Sequence, residues 1–249
     1  MSEIKGKTVL ITGAAKRIGH SLAIELAKQG ANIVIHYNTS GAEAQTLFDD
    51  IRNLGVEAYL TQADLTKPRA SNELIQKAME TTGVIDALIN SASVFSAKKI
   101  WDVTIDDLNI DLLVNAWAPF ILSREFAQKV RRGKIVNFLD TRIAGYDFDN
   151  FSYYLSKKML ETLTMSLALE FAPNIAVNAV APGLILPPEG KDHGYLERLK
   201  KTVPLKRYGS VSDVVNSAIF LLVSDFITGQ VIYVDGGKHL LQTFEGLSP

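Results

Sequence analysis

Two tyrosines in the stretch NFLDTRIAGYDFDNFSYYLSKK, residues 137–158, each stand four residues before a lysine: Tyr153 before Lys157, and Tyr154 before Lys158. On a helix that spacing brings both side chains to one face. A free phenol has a pKa of about 10, so it exchanges protons near neutrality only where a cation supports its phenolate form. A lysine one turn further on can supply that cation. The pair therefore suits proton delivery to a heteroatom whose neighbouring carbon receives a hydride from a cofactor. Spacing alone leaves the two pairs equal. Asp140 lies thirteen residues before Tyr153, and an ionised aspartate accepts hydrogen bonds but donates none.

A second chemical feature is TGAAKRIG, residues 12–19, which separates a β-branched run from an amphipathic stretch. Backbone N–H groups at such a turn, together with the start of the following helix, favour a pyrophosphate.

These groups need elements to hold them, and the chain alternates apolar runs of strand length with longer helical patterns. TVLITG is followed by IGHSLAIELAKQG, whose apolar residues Ile18, Leu22, Ile24, Leu26 and Ala27 precede Gly30, a good helix stop. The alternation continues: strand ANIVIHY, helix about 41–54, strand VEAYLTQ, helix about 69–82, strand DALIN and helices across 104–130. After these come strand GKIVNFL, helix about 152–171, strand IAVNAVAP, a polar excursion over 187–210, a helix near 211–223 and strand GQVIYVDGG. Continuous apolar strands joined by crossover helices predict one α/β domain over 1–249, a seven-stranded parallel sheet doubly wound with helices on both faces. Ligands of such sheets bind beyond the strand carboxyl ends. Gly13, Tyr37, Asp64, Asn90, Asp140 and Pro182 all fall there.

Composition narrows the chemistry. The 249 residues are 47% hydrophobic with a formal charge of −1 and no basic block longer than VRRGK, so no nucleic-acid footprint is present. Without a cysteine, disulfides and thiolate chemistry are excluded, and four histidines make a metal-dependent reaction an unpromising expectation. No apolar run reaches the ~18 residues of a membrane span, and MSEIKGKTVLITG lacks a signal-peptide pattern. A cytoplasmic protein is the expectation.

The turn, with Thr12, Gly13 and Gly19, resembles the T-G-x-x-x-G-x-G segment of the short-chain dehydrogenase/reductase family, with Arg17 in place of the middle glycine. Further segments resemble that family along nearly the whole chain: ADL (63–65), NSAS (90–93), NAWAPF (115–120), APG (181–183) and VDGG (234–237). The resemblance implies a Rossmann fold and a nicotinamide cofactor held by Gly13, Ile18, Asp64, Leu65, Asn90, Ala92, Ser93, Tyr153, Lys157, Pro182, Gly183 and Leu184. Tyr37 stands where members specific for NAD place an aspartate. Arg17, His36, Asn38 and Ser40 are then expected around a 2′-phosphate, which points to NADPH. The family pattern Y-x-x-S/A-K selects Tyr153 and Lys157, because Ser156 precedes Lys157. The family's third catalytic group also sits thirteen residues before its tyrosine, where this chain has Asp140. Asn115, at the family's helix asparagine, would hold a relay water connecting Lys157 to solvent.

Most members place serine where Asp140 stands, to donate a hydrogen bond to a carbonyl oxygen. An aspartate suits a nitrogen-containing substrate instead, and the pteridine reductases resemble this chain in that constellation. TGAAKRIG, HYNTS and NSASVF are similar to their segments, although their arginine in H-Y-x-R-S is Thr39 here. That resemblance implies a dihydropterin or folate-like substrate reduced with NADPH, held by Ser93, Phe95, Asp140 and Tyr153, with Phe95 stacked on the pterin. It also implies a homotetramer built through helices 104–130 and 152–171 and the C-terminal segment. Two other readings stand beside it: a 3-oxoacyl thioester reductase, and a non-catalytic NADP(H)-sensing protein. Residues 184–210 are expected to form a substrate loop that ligand orders.

Overall fold

In the computed structural model the strands follow the apolar runs. The structure describes residues 3–188, 190 and 192–242. Among the described residues, seven strands form one sheet in the order β3-β2-β1-β4-β5-β6-β7. They are β1 (Thr8–Thr12), β2 (Asn32–Tyr37), β3 (Ala58–Gln62), β4 (Ala87–Asn90), β5 (Gly133–Phe138), β6 (Ile175–Pro182) and β7 (Val231–Val234). Every neighbouring pair is parallel. The order reverses between β1 and β4, which opens a crevice over their carboxyl ends.

Alternate strand residues serve opposite faces. Val9, Ile11, Ile33, Ile35 and Ile89 pack with Leu22 and Leu26 of α1 (Arg17–Lys28), Leu47 and Ile51 of α2 (Gly41–Asn53), and Val214 and Leu222 of the helix Val211–Val223. Leu10, Val34, Leu88, Ile135 and Val177 pack on the other face. Their partners are Leu74 and Ile75 of α3 (Pro68–Thr82), Phe126 of the helix Ala118–Lys129, and Leu167 of the helix Phe151–Glu170. Both faces are apolar because both are covered, so the strands read as unbroken runs rather than alternating ones.

The stretch expected as helices across 104–130 is α4 (Ile105–Leu112), a π-helical turn at Leu113–Trp117, and α5 (Ala118–Lys129). A Thr104–Asp107 capping box starts it. The helix after β5 is α6, Phe151–Glu170.

The segment 184–210 departs from a plain loop. It contains α7 (His193–Leu199) and a 3₁₀ turn at Lys200–Thr202, with Leu196 and Val203 buried. These apolar residues lie seven apart among charged ones, enough to seat one helical turn but too few to show a period. Glu189 and Lys191 lie outside the described residues, as do Met1, Ser2 and residues 243–249 of the expected domain and C-terminal segment. After α8 (Val211–Val223) and β7 comes a short α9, Lys238–Gln242. No helix among the described residues is long and apolar enough to cross a membrane.

Candidate active site

The turn after β1 is built for close approach. Gly13 has φ +64°, and a Cβ there would lie 2.8 Å from the Ala92 Cα. A Cβ on Gly19 would lie 2.4 Å from the Gly13 carbonyl oxygen, so the first turn of α1 packs directly on the loop. A side chain at either position would collide with this backbone and force the turn apart, and the turn's backbone N–H groups are the ones suited to a phosphate. Thr12 fixes the neighbouring strand end, since its Oγ1 accepts from the Ser91 and Ala92 N–H groups at 3.0 Å each.

His36 lies beneath this turn, turned inward. Its Nδ1 accepts from the Gly13 N–H (3.2 Å), which leaves Nε2 to donate to the Ala63 carbonyl (3.1 Å). Burial lowers its pKa to about 4, so the ring is neutral. With both nitrogens taken, His36 clamps the ends of β1, β2 and β3, and the expectation that it reaches a 2′-phosphate is corrected.

Arg17 adopts φ +55°, the left-handed region that the family's glycine enters freely. Its Nη2 donates to the Pro187 carbonyl (2.8 Å), across the crevice to the segment after β6. Sequence reasoning did not single out Lys16 in the same turn, whose ammonium pairs with Glu43 in the first turn of α2 (2.8 Å). Asn38 is exposed, and Ser40 begins α2 without capping it through its side chain. Lys16, Asn38 and Ser40 thus stand together at the mouth of β2, with Tyr37 packed against the core. Asp64 is held by Thr66 through its N–H (3.0 Å) and hydroxyl (2.7 Å), which lowers its pKa, and Leu65 is buried beside it.

The end of β4 is a polar ladder. Asn90 is buried and donates to Asn137 Oδ1 (2.8 Å), and Asn137 donates to Thr164 Oγ1 (2.9 Å). The loop beyond β4 hangs on Asn115, which sits in the π-helical turn. Asn115 Oδ1 accepts from Ser93 Oγ (3.0 Å) and the Val94 N–H (2.9 Å), while Nδ2 donates to the Val94 carbonyl (2.9 Å) and Ser156 Oγ (3.0 Å). The side-chain amide is fully taken up by protein partners and so holds the loop against the π-helical turn.

Tyr153 and Lys157 are buried on the inner face of α6. Tyr153 OH donates to Asp140 Oδ2 at 3.1 Å. Lys157 Nζ donates to the Phe138 carbonyl (2.8 Å) and lies 5.7 Å from the Tyr153 ring centroid. Burial, with the Asp140 carboxylate adding to it, holds the phenol well above its ordinary pKa. Burial also brings the Lys157 ammonium down to about 8, against the pull of Asp140 and Asp111. Phe95 meets Tyr153 edge to face at 4.8 Å. The second pair lies apart: Lys158 bonds the Ile143 carbonyl (3.0 Å) and Glu161 (2.7 Å), and the Tyr154 ring lies 6.4 Å from Tyr146.

Two further residues escaped the sequence. Arg142 donates through Nη1 to Asp140 Oδ2 (2.9 Å) and through Nε to Asp147 Oδ2 (2.8 Å). Asp111 is fully buried on α4 and accepts from Ser96 (3.0 Å) and Ser152 (2.5 Å), burial raising its pKa. A basic residue two positions after Asp140 was the available signal for the first. Before the cleft, Gly183 packs on Asp235, where a Cβ would lie 2.5 Å from the Asp235 Cβ. The cleft encloses about 400 Å³ and is bordered by Asp140, Arg142, Gly183, Leu184, Tyr195 and Lys238.

Comparison with known proteins agrees with this geometry. A family model described as enoyl-(acyl carrier protein) reductase matches residues 13–239. The 3-oxoacyl-[acyl-carrier-protein] reductase FabG of Staphylococcus epidermidis is 31% identical, over 94% of this chain and 99% of its own. Crystal structures of FolM alternative dihydrofolate reductase 1 with NADP are also similar. The protein from Brucella canis has TM-score 0.89 and 32% identity over 98% of both chains. The one from Brucella suis has TM-score 0.90 and 33% identity over 94% of this chain and 95% of that one. A glycine cradle over the sheet switch point, a buried Tyr–Lys pair one turn apart and full-length similarity carry one conclusion: this chain belongs to the short-chain dehydrogenase/reductase family of NAD(P)-dependent oxidoreductases.

Proposed function

We propose that the chain is an NADPH-dependent pteridine reductase-like enzyme that reduces a C=N bond of a dihydropterin or dihydrofolate. The observation that carries this reading is Asp140, which offers a carboxylate to Tyr153 OH at 3.1 Å where a carbonyl reductase needs a donor. The cofactor supplies the hydride. Tyr153 holds the proton at its hydroxyl and delivers it to the ring nitrogen beside the carbon reduced. Asp140 accepts N–H groups of the heterocycle, and Phe95, half-exposed beside Tyr153, offers a flat face to it. Lys157 keeps positive charge under the phenol. For the cofactor, the turn that Gly13 and Gly19 keep tight offers backbone N–H groups to the pyrophosphate, and the absence of an acid at Tyr37 favours NADPH. Lys16, Asn38 and Ser40 would face its 2′-phosphate, with Arg17 once it leaves Pro187. The NADP-bound FolM structures support both halves of the reading.

The identity to the FabG reductase favours a second reading, reduction of a 3-oxoacyl thioester. Steady-state assays with NADPH, comparing dihydrobiopterin and dihydrofolate against an acetoacetyl thioester, separate the two. Turnover of the thioester alone refutes the pterin reading. In Asp140→Ser, pterin turnover is expected to fall by about 10²-fold while NADPH affinity stays within about twofold.

A further inference from the structure

A carboxylate against the proton donor creates a difficulty that the site has to meet. Negative charge 3.1 Å from Tyr153 OH makes the phenol a weaker acid, which slows the proton delivery asked of it. The offset comes from Arg142, two residues beyond Asp140 in a 3₁₀ turn. Its N–H donates to Asp140 Oδ1 (2.9 Å), and its Nη1 donates to Oδ2 (2.9 Å), the same oxygen that accepts from Tyr153. The other edge of the guanidinium holds Asp147 at 2.8 Å. Asp147 in turn accepts from the Asp149 and Asn150 N–H groups (3.0 Å each), immediately before the helix that carries Tyr153. The guanidinium also lies 5.5 Å from the Phe95 ring centroid.

We propose that Arg142 is a positioning residue for this reductase: it fixes Asp140 against Tyr153, offsets part of the carboxylate's charge beside the phenol and seats Phe95. One cation thus joins the segment after β5, the start of α6 and the aromatic wall. The charged and titratable groups facing Tyr153 are Asp140, Arg142, Asp111 and Lys157, and those facing Arg142 are Asp140, Asp147, Tyr153 and Tyr195. Of the cations, Arg142 bonds the carboxylate directly, whereas Lys157 is bonded to the Phe138 carbonyl behind the ring. The proposal rests on Asp140 and Tyr153 as working groups and not on the pterin, so its test uses whichever substrate the assay above finds.

The experiment is the pH profile of reductive kcat for Arg142→Gln and Arg142→Lys, each in the native and the Asp140→Ser background. Gln keeps an N–H donor without the charge, while Lys keeps the charge without the two-edged grip. In Arg142→Gln, kcat is expected to fall about tenfold and the alkaline limb, where Tyr153 loses its proton, to move up by about one pH unit. NADPH affinity changes by less than about twofold, because the loss is in the proton donor rather than in cofactor binding. Arg142→Lys keeps the limb in place and raises the substrate KM. In the Asp140→Ser background, Arg142→Gln leaves the limb unmoved, since there is no carboxylate left to offset. A limb that stays put in Arg142→Gln, or that moves equally with and without Asp140, overturns the proposal.

Discussion

Replacing Lys157 by methionine should stabilise the ligand-free protein at neutral pH while destroying its activity. Lys157 is only 3% exposed, and burial lowers its pKa from 10.5 to about 8. A base that binds its proton less tightly folded than unfolded weakens the fold wherever both states are charged. The cost is full below pH about 8 and disappears as pH climbs from there to the ordinary value. At about 1.4 kcal/mol per pKa unit it amounts to about 3 kcal/mol at pH 7. Methionine removes that cost and keeps most of the volume, but leaves the Phe138 carbonyl without its 2.8 Å donor, a loss of about 1–2 kcal/mol. The net expectation is a gain of about 1–2 kcal/mol at pH 7 that is gone by pH 10, where it becomes a loss of at most about 1 kcal/mol because a little of the charge cost remains below pH 10.5. Urea unfolding of the ligand-free protein at fixed chain concentration, followed by circular dichroism at both pH values, measures it. Turnover should meanwhile fall by about 10²-fold or more. A variant less stable at pH 7, or a difference that does not move with pH, would refute the reasoning.

The two Tyr–Lys pairs are separated by Tyr153→Phe and Tyr154→Phe. The first should lose at least about 10²-fold in kcat with NADPH affinity retained, and the second should stay within about threefold of the parent in the same assay. His36 predicts an acid limb in stability. Its folded pKa of about 4 lies below the ordinary 6.5, so its stabilisation is complete above pH 6.5 and is lost as pH falls towards 4. The loss is about 3 kcal/mol over that window. Urea midpoints between pH 4 and 7 should fall less steeply in His36→Gln, and identical slopes would discard the neutral clamp.

The reach of the sequence can be judged from particular residues. All seven strands were legible because a parallel sheet covered on both faces leaves unbroken β-branched runs, as in TVLIT and NIVIHY. Ser156 is what led the sequence to prefer Tyr153 over Tyr154, and the fold shows where that serine sits. Ser156 is wholly buried against Asn115, a place that the alternative pairing would give to a lysine. Helix α7 was hidden because its buried face is a single leucine, Leu196. The sequence put both Arg17 and His36 beside the phosphate but could show neither the contact that Arg17 makes in the ligand-free fold nor the inward turn of the His36 ring. The partner that takes the Arg17 guanidinium is 170 residues away in sequence, and the direction of the His36 ring depends on what packs over it.

By itself the sequence determined the architecture and the family and singled out one Tyr–Lys pair as the candidate proton donor, because hydrophobic period, glycine placement and one-turn spacing are local properties of a chain. The electrostatics of the site were decided by tertiary structure alone. Whether Asp140 is bare or paired, whether His36 is charged, and what the Asn115 amide holds all depend on groups brought together from distant segments. The same is true of Asp111, which lies behind the reacting pair. Burial and Coulombic contact act through space, and the order of residues does not carry that distance.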